Sequence, residues 1–109
     1  MANTFRNKVV KSIGTEPVEV LSVGAAERAT IVGLSITNLT DSFVYVDALV
    51  KDDTSAEGFY LRNNLLPANT SLRAVNQGEK LILAPTNSLS IQASRDDAVD
   101  IILSYVETV

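Results

Sequence analysis

At 109 residues, 46% of them hydrophobic and 20% charged, the chain has the size of one domain with a core of its own. It contains no Cys, His or Trp, which excludes disulfides and Cys/His zinc centres and removes the side chains most often recruited for nucleophilic and general acid–base catalysis. The formal net charge of −4 is unevenly spread: Arg6, Lys8 and Lys11 stand in residues 1–11 with no acid among them, against six bases and thirteen acids in the rest. That balance argues against nucleic acid as a partner and marks residues 1–11 as a basic docking arm on a single domain spanning 1–109.

In chain order the signals are those of β-structure, with abundant Val, Ile and Thr and apolar residues alternating with polar ones. A first strand is predicted over 5–13, anchored by Phe5, Val9 and Ile13, and ends at the Gly14-Thr15-Glu16-Pro17 turn. A second covers 18–23, and a loop over 24–28 leads to a long third strand over 29–39. There Val32, Leu34 and Ile36 share one face and Gly33, Ser35 and Thr37 the other. After a polar turn at 38–42 comes a fourth strand over 43–51, with Val44, Val46, Ala48 and Val50 on one face. Strands three and four read as a hairpin. A polar loop at 52–58 precedes a short strand at 59–62. Residues 63–70, with Pro67 and several Asn, read as loop, although the Leu65-Leu66 pair needs cover.

Short strands at 71–75 and 80–83 are separated by a turn at Asn76-Gln77-Gly78-Glu79, and an Ala84-Pro85-Thr86-Asn87 turn leads to a strand over 88–94 with Leu89, Ile91 and Ala93 on one face. Past the turn at 95–98, Val99, Ile101, Leu103 and Tyr105 alternate cleanly along the last strand. Eight or nine short strands with a turn about every ten residues give an all-β chain, an antiparallel β-sandwich or jelly roll. Its expected core is Val32, Leu34, Ile36, Val44, Val46, Ile91, Ile101 and Leu103.

Few residues invite chemistry. Asp52, Asp53 and Glu57 share one loop and Asp96, Asp97 and Asp100 another, but neither run has EF-hand spacing and short acidic turns are ordinarily solvated. No catalytic, metal or cofactor site is expected, and no enzyme. Two Asn-x-Ser/Thr matches, at Asn38 and Asn69, carry little weight without a signal peptide. No segment approaches the ~20 apolar residues of a membrane span, so the chain reads as soluble and unprocessed. Phe43, Tyr45, Phe59 and Tyr60 are candidates for stacking on sugars, against the plainer expectation that most of them pack in the core or at a subunit contact.

Four stretches carry a resemblance. They are Asn3-Thr4-Phe5-Arg6-Asn7-Lys8-Val9-Val10-Lys11-Ser12-Ile13-Gly14-Thr15, then Ile31-Val32-Gly33-Leu34-Ser35-Ile36-Thr37-Asn38, then Gly78-Glu79-Lys80-Leu81-Ile82-Leu83 with Ser88-Leu89-Ser90-Ile91-Gln92-Ala93-Ser94, and last Val99-Asp100-Ile101-Ile102-Leu103-Ser104-Tyr105-Val106-Glu107. Together they resemble the small β-sandwich virion proteins of tailed bacteriophages. In those relatives the turn before the Ser88 strand often reads Gly-Asp, where Thr86-Asn87 stands here. The resemblance implies a virion structural protein assembled in the bacterial host cytoplasm. The leading expectation is a capsid decoration or cement protein that binds the major capsid protein or other virion proteins and forms a homo-oligomer, dimer or trimer. A neck, tail or fibre adaptor is the alternative within the particle, and a carbohydrate-binding or adhesion module the alternative outside that class. The expected protein interface is Phe5, Arg6, Lys8 and Lys11, with Phe5 as apolar anchor and the cations setting orientation.

Overall fold

The computed structural model describes residues 3–54, 56–75 and 80–108. Among them are nine strands and no helix: β1 (Asn3–Ile13), β2 (Val18–Ser22), β3 (Arg28–Asn38), β4 (Val44–Lys51), β5 (Glu57–Leu66), β6 (Ser71–Val75), β7 (Leu81–Leu83), β8 (Ser88–Ala93) and β9 (Val99–Thr108). They form two antiparallel sheets, one ordered β1-β9-β3-β6 with β7 also on β3, the other β2-β8-β4-β5. β6 and β7 follow one another along the same flank of β3, on Leu34–Thr37 and Ala29–Ile31. With those two counted as one broken strand, the order is that of an eight-stranded jelly roll. The expected turn at Asn76-Gln77-Gly78-Glu79 lies outside the described residues.

Alternation builds the core. Val99, Ile101, Leu103 and Tyr105 of β9, Leu89, Ile91 and Ala93 of β8, and Val44, Val46 and Ala48 of β4 are all buried between the sheets. The core is aliphatic: among the described residues Tyr105 is its only buried aromatic, with Tyr60 partly buried against it.

Four features depart from the period-two reading. Val32 is 41% exposed, although Leu34 and Ile36 beside it are buried. A β-bulge causes this: Ile31 pairs with Tyr105 and Gly33 with the next residue of β9, Ser104, so Val32 is an extra residue and the pattern changes phase across it. Phe5 and Val9 are not anchors of the core, being 84% and 58% exposed. They lie outward opposite Val106 and Ile102, and Ile13 turns inward only beyond the irregular stretch between Val10 and Ile13, where Ser12 has φ 56° and its N–H donates to Asp100 Oδ1.

Strands β3 and β4 are not a hairpin, because they belong to opposite sheets. Asn38, buried at 1% exposure, makes the crossing. Its Nδ2 donates to the carbonyls of Ser42, Leu66 and Pro67, and its Oδ1 accepts from the N–H and Oγ1 of Thr40. Finally, β5 runs on through residues 63–66, where a loop is expected. Leu65 pairs with Tyr45 and faces out, while Leu66 pairs with Val44 and is buried, so the leucine pair is split between two faces.

Candidate interaction surfaces

The acidic loops act on their own turns. The Asp52 carboxylate accepts from Thr54 Oγ1 at 2.6 Å, the Thr54 N–H at 2.9 Å and the Ala56 N–H at 3.1 Å. The Thr54 hydroxyl first and its amide second hold the Asp52 pKa below the ordinary 3.8. Asp96 accepts from Thr15 Oγ1 and Asp100 from the Ser12 N–H, tying the turn at 95–98 to the end of β1. Among the described residues no three acidic side chains gather into a group able to hold a metal ion.

What the chain does present is apolar surface. All three phenylalanines are outside: Phe5 at 84%, Phe43 at 55% and Phe59 at 51% exposure. The sequence expectation places most aromatics in the core or at a subunit contact, and the core position fails for Phe43, Tyr45 and Phe59. Tyr60 is partly buried, its hydroxyl donating to the Ala74 carbonyl.

The outer face of the four-stranded sheet mixes rings with charges. Phe43 meets Tyr45 edge-on at 5.7 Å between centroids, and the Arg62 guanidinium lies 5.1 Å from the Phe59 ring centre. Leu65 and Leu49 sit opposite Tyr45 and Phe59, with Asp47 between, its carboxylate accepting the Asn63 N–H, and the Lys51–Glu57 pair beyond.

The outer face of the five-stranded sheet is different. Reading across the register, Phe5, Asn7 and Val9 of β1 stand opposite Val106, Ser104 and Ile102 of β9. These in turn stand opposite Thr30, Gly33 and Ser35 of β3, and Ile82 of β7 lies beyond Thr30. None of these residues is charged. Charges enter at the rim, as Asp100 at one end, Arg28 at the other and Arg73 on β6, and Arg6 borders the groove beside Phe5. A groove of about 580 Å³ is lined by Phe5, Arg6, Asn7, Val32, Ser104 and Tyr105. A second depression of about 290 Å³ continues from Val32 and Ser104 to Ile102.

The expected docking residues all lie on or near this edge, but they do not form one patch. β1 is the edge strand. Pleating turns Phe5 to the outer face, while Arg6 and Lys8, opposite Tyr105 and Leu103, turn to the other side and remain exposed. Arg6 Nε donates to Glu107 Oε1 at 3.2 Å, with the arginine side chain 52% exposed. Lys8 and Lys11 make no ion pair among the described residues. Lys11 sits in the irregular stretch past Val10. Sequence reasoning missed Val32, Ile82 and Ile102 as surface residues, yet the parity of positions 5 and 9 against 6 and 8 already separates the two sides of β1.

No protein-family model and no curated protein matches the chain. Solved structures of virus particles do. A chain from the T13 particle of infectious bursal disease virus aligns over 98% of this chain with a TM-score of 0.56 at 11% identity. A mutant VP2 protein of the same virus, from derived T=1 particles, aligns over 96% with a TM-score of 0.50 at 10% identity. The chain spans about a third of the length of each, 31% and 35%. At such identities the likeness is one of fold: the chain has the β-sandwich found in these viral capsid proteins.

Proposed function

We propose that this chain is a structural protein of a virus particle, and specifically a decoration or cement protein on the capsid of a tailed bacteriophage. The observation that carries the reading is the sandwich itself, which particle-forming chains match over nearly its whole length. The resemblance of the four sequence stretches to phage virion proteins supplies the narrower class. The surfaces fit that role, because the large apolar side chains left outside are those a shell protein uses against its neighbours.

The side of β1 that carries Arg6 and Lys8, with Lys11 in the irregular stretch beyond Val10, is the side offered to an acidic shell subunit, the major capsid protein. Exposed ion pairs contribute about 0–1 kcal/mol each, so this contact works through many copies at once. Immunoblots of gradient-purified particles from the producing host test the role, with the chain expected in the particle fraction; its absence from particles overturns the reading. Replacing Arg6, Lys8 and Lys11 with Ser tests the contact: occupancy falls at low salt, and the difference from the unaltered chain shrinks at moderate salt. Unchanged occupancy at low and moderate salt, with folding intact, removes the basic flank from the contact.

The exposed rings of Phe43, Tyr45 and Phe59 favour one second reading, a carbohydrate-binding or adhesion module. Glycan binding by the isolated protein that is abolished by Phe59→Ala supports it.

A further inference from the structure

The uncharged outer face of the five-stranded sheet has no role in the fold and none in the proposed ionic contact of β1. Ile82, Phe5, Val9, Ile102 and Val32 are 63%, 84%, 58%, 51% and 41% exposed on it. Protein interfaces have this composition: charge is depleted at the centre, aromatic and aliphatic side chains are concentrated there, and polar groups form the rim. Four strands spaced ~4.8 Å apart and ten residues long span roughly 20 Å by roughly 30 Å, or roughly 600 Å² before side-chain relief is counted. A stable pair of proteins buries about 800 Å² on each side, so the face is of the right order for one whole interface.

We propose that this face binds a second copy of the chain, sheet to sheet, about a two-fold axis. Three features select a second copy as the occupant. First, the face carries a knob, the exposed Phe5 ring, and next to it a groove lined by Val32 and Ser104 together with Arg6 and Asn7. A two-fold interface requires that if residue i of one copy meets residue j of the other, j also meets i, and a knob beside a hole on one face satisfies that condition. Second, no acid stands at the central strand positions, so the like-charge repulsion that penalises identical chains of net charge −4 is not concentrated there. Third, Val32, pushed out by the bulge, lines both depressions and so borders the groove beside Phe5 with apolar carbon. The arrangement leaves Lys8 on the opposite side of β1 for a different partner, while Arg6 stays paired with Glu107 beside the groove.

The test is sedimentation equilibrium of the purified full chain across a wide concentration range, with each variant's fold checked by circular dichroism. The expected result is a monomer–dimer equilibrium. Ile102→Asp and Ser104→Arg, the first placing charge at the centre and the second filling the groove, each weaken it at least tenfold. Leu65→Asp, on the outer face of the other sheet, leaves it unchanged, and so does moderate salt. A chain that stays monomeric at all concentrations, a closed trimer, or a dimer indifferent to both Ile102→Asp and Ser104→Arg overturns the proposal. The measurement is made without particles, so it stands or falls separately from the virion reading.

Discussion

The two sides of the five-stranded sheet are made by the same strands and obey different rules. On β9, Ile101, Leu103 and Tyr105 face inward and are buried, while Ile102 between them is half exposed and Ser104 is exposed. The inner side joins an aliphatic core whose cohesion follows from area removed from water. The outer side holds comparable apolar residues that the fold leaves in water. A chain selected only for stability gains nothing from a phenylalanine at 84% exposure. The inner side makes the domain, while the outer side leaves its apolar residues available for contacts.

The contrast is sharpest between neighbouring residues. Leu103→Ala is expected to cost about 2–4 kcal/mol, since it empties a fully buried site. Ile102→Ala, one residue earlier, is expected to change monomer stability by no more than about 0.5 kcal/mol. Urea denaturation of both variants reads the difference, and equal losses break the comparison. Asn38 is the polar exception inside. Asn38→Ala removes the Asn38 amide from the Leu66 and Pro67 carbonyls and from the Thr40 N–H, at a cost of about 2 kcal/mol. A cost near zero in the same assay means the crossing from β3 to β4 is held by packing alone.

The smallest effect lies outside, at Asp52. Its folded pKa lies below the ordinary value, so the carboxylate's contribution is present above that value and is lost as pH falls through the lower, folded pKa. Amide shifts of Thr54 and Ala56 followed by NMR titrate there, while the core amides stay fixed. A titration of these two amides at or above 3.8 contradicts the turn geometry.

The sandwich was legible because β4, β8 and β9 alternate clearly between inside and outside. In β8 and β9 every second residue from Leu89 and from Val99 is inside, and a turn follows about every ten residues. The failures share a cause. Period two carries no information about where a strand slips or which sheet it joins. One extra residue at Val32 reverses the phase of β3, and the polar turn after Asn38 looks the same whether it closes a hairpin or crosses the core. Residues 63–66 were hidden by Asn63, Asn64 and the neighbouring Pro67. Yet Asn63 takes φ 47° and its N–H bonds Asp47, and the strand continues past it. The candidate interface was half legible. Charge counting picks out Arg6, Lys8 and Lys11, but the charge-free face beside them is assembled from β1, β3, β7 and β9, distant in sequence and adjacent only in the folded sheet.

The claim that this domain works through two differently built surfaces is tested most directly by a cryo-electron-microscopy contact map of the particle that carries it. The account predicts the outer face of the five-stranded sheet against a second copy, with Phe5 buried, and Lys8 and Lys11 against an acidic shell subunit. A map in which Phe5, Ile102 and Ile82 face solvent while some other surface holds the chain in place contradicts it.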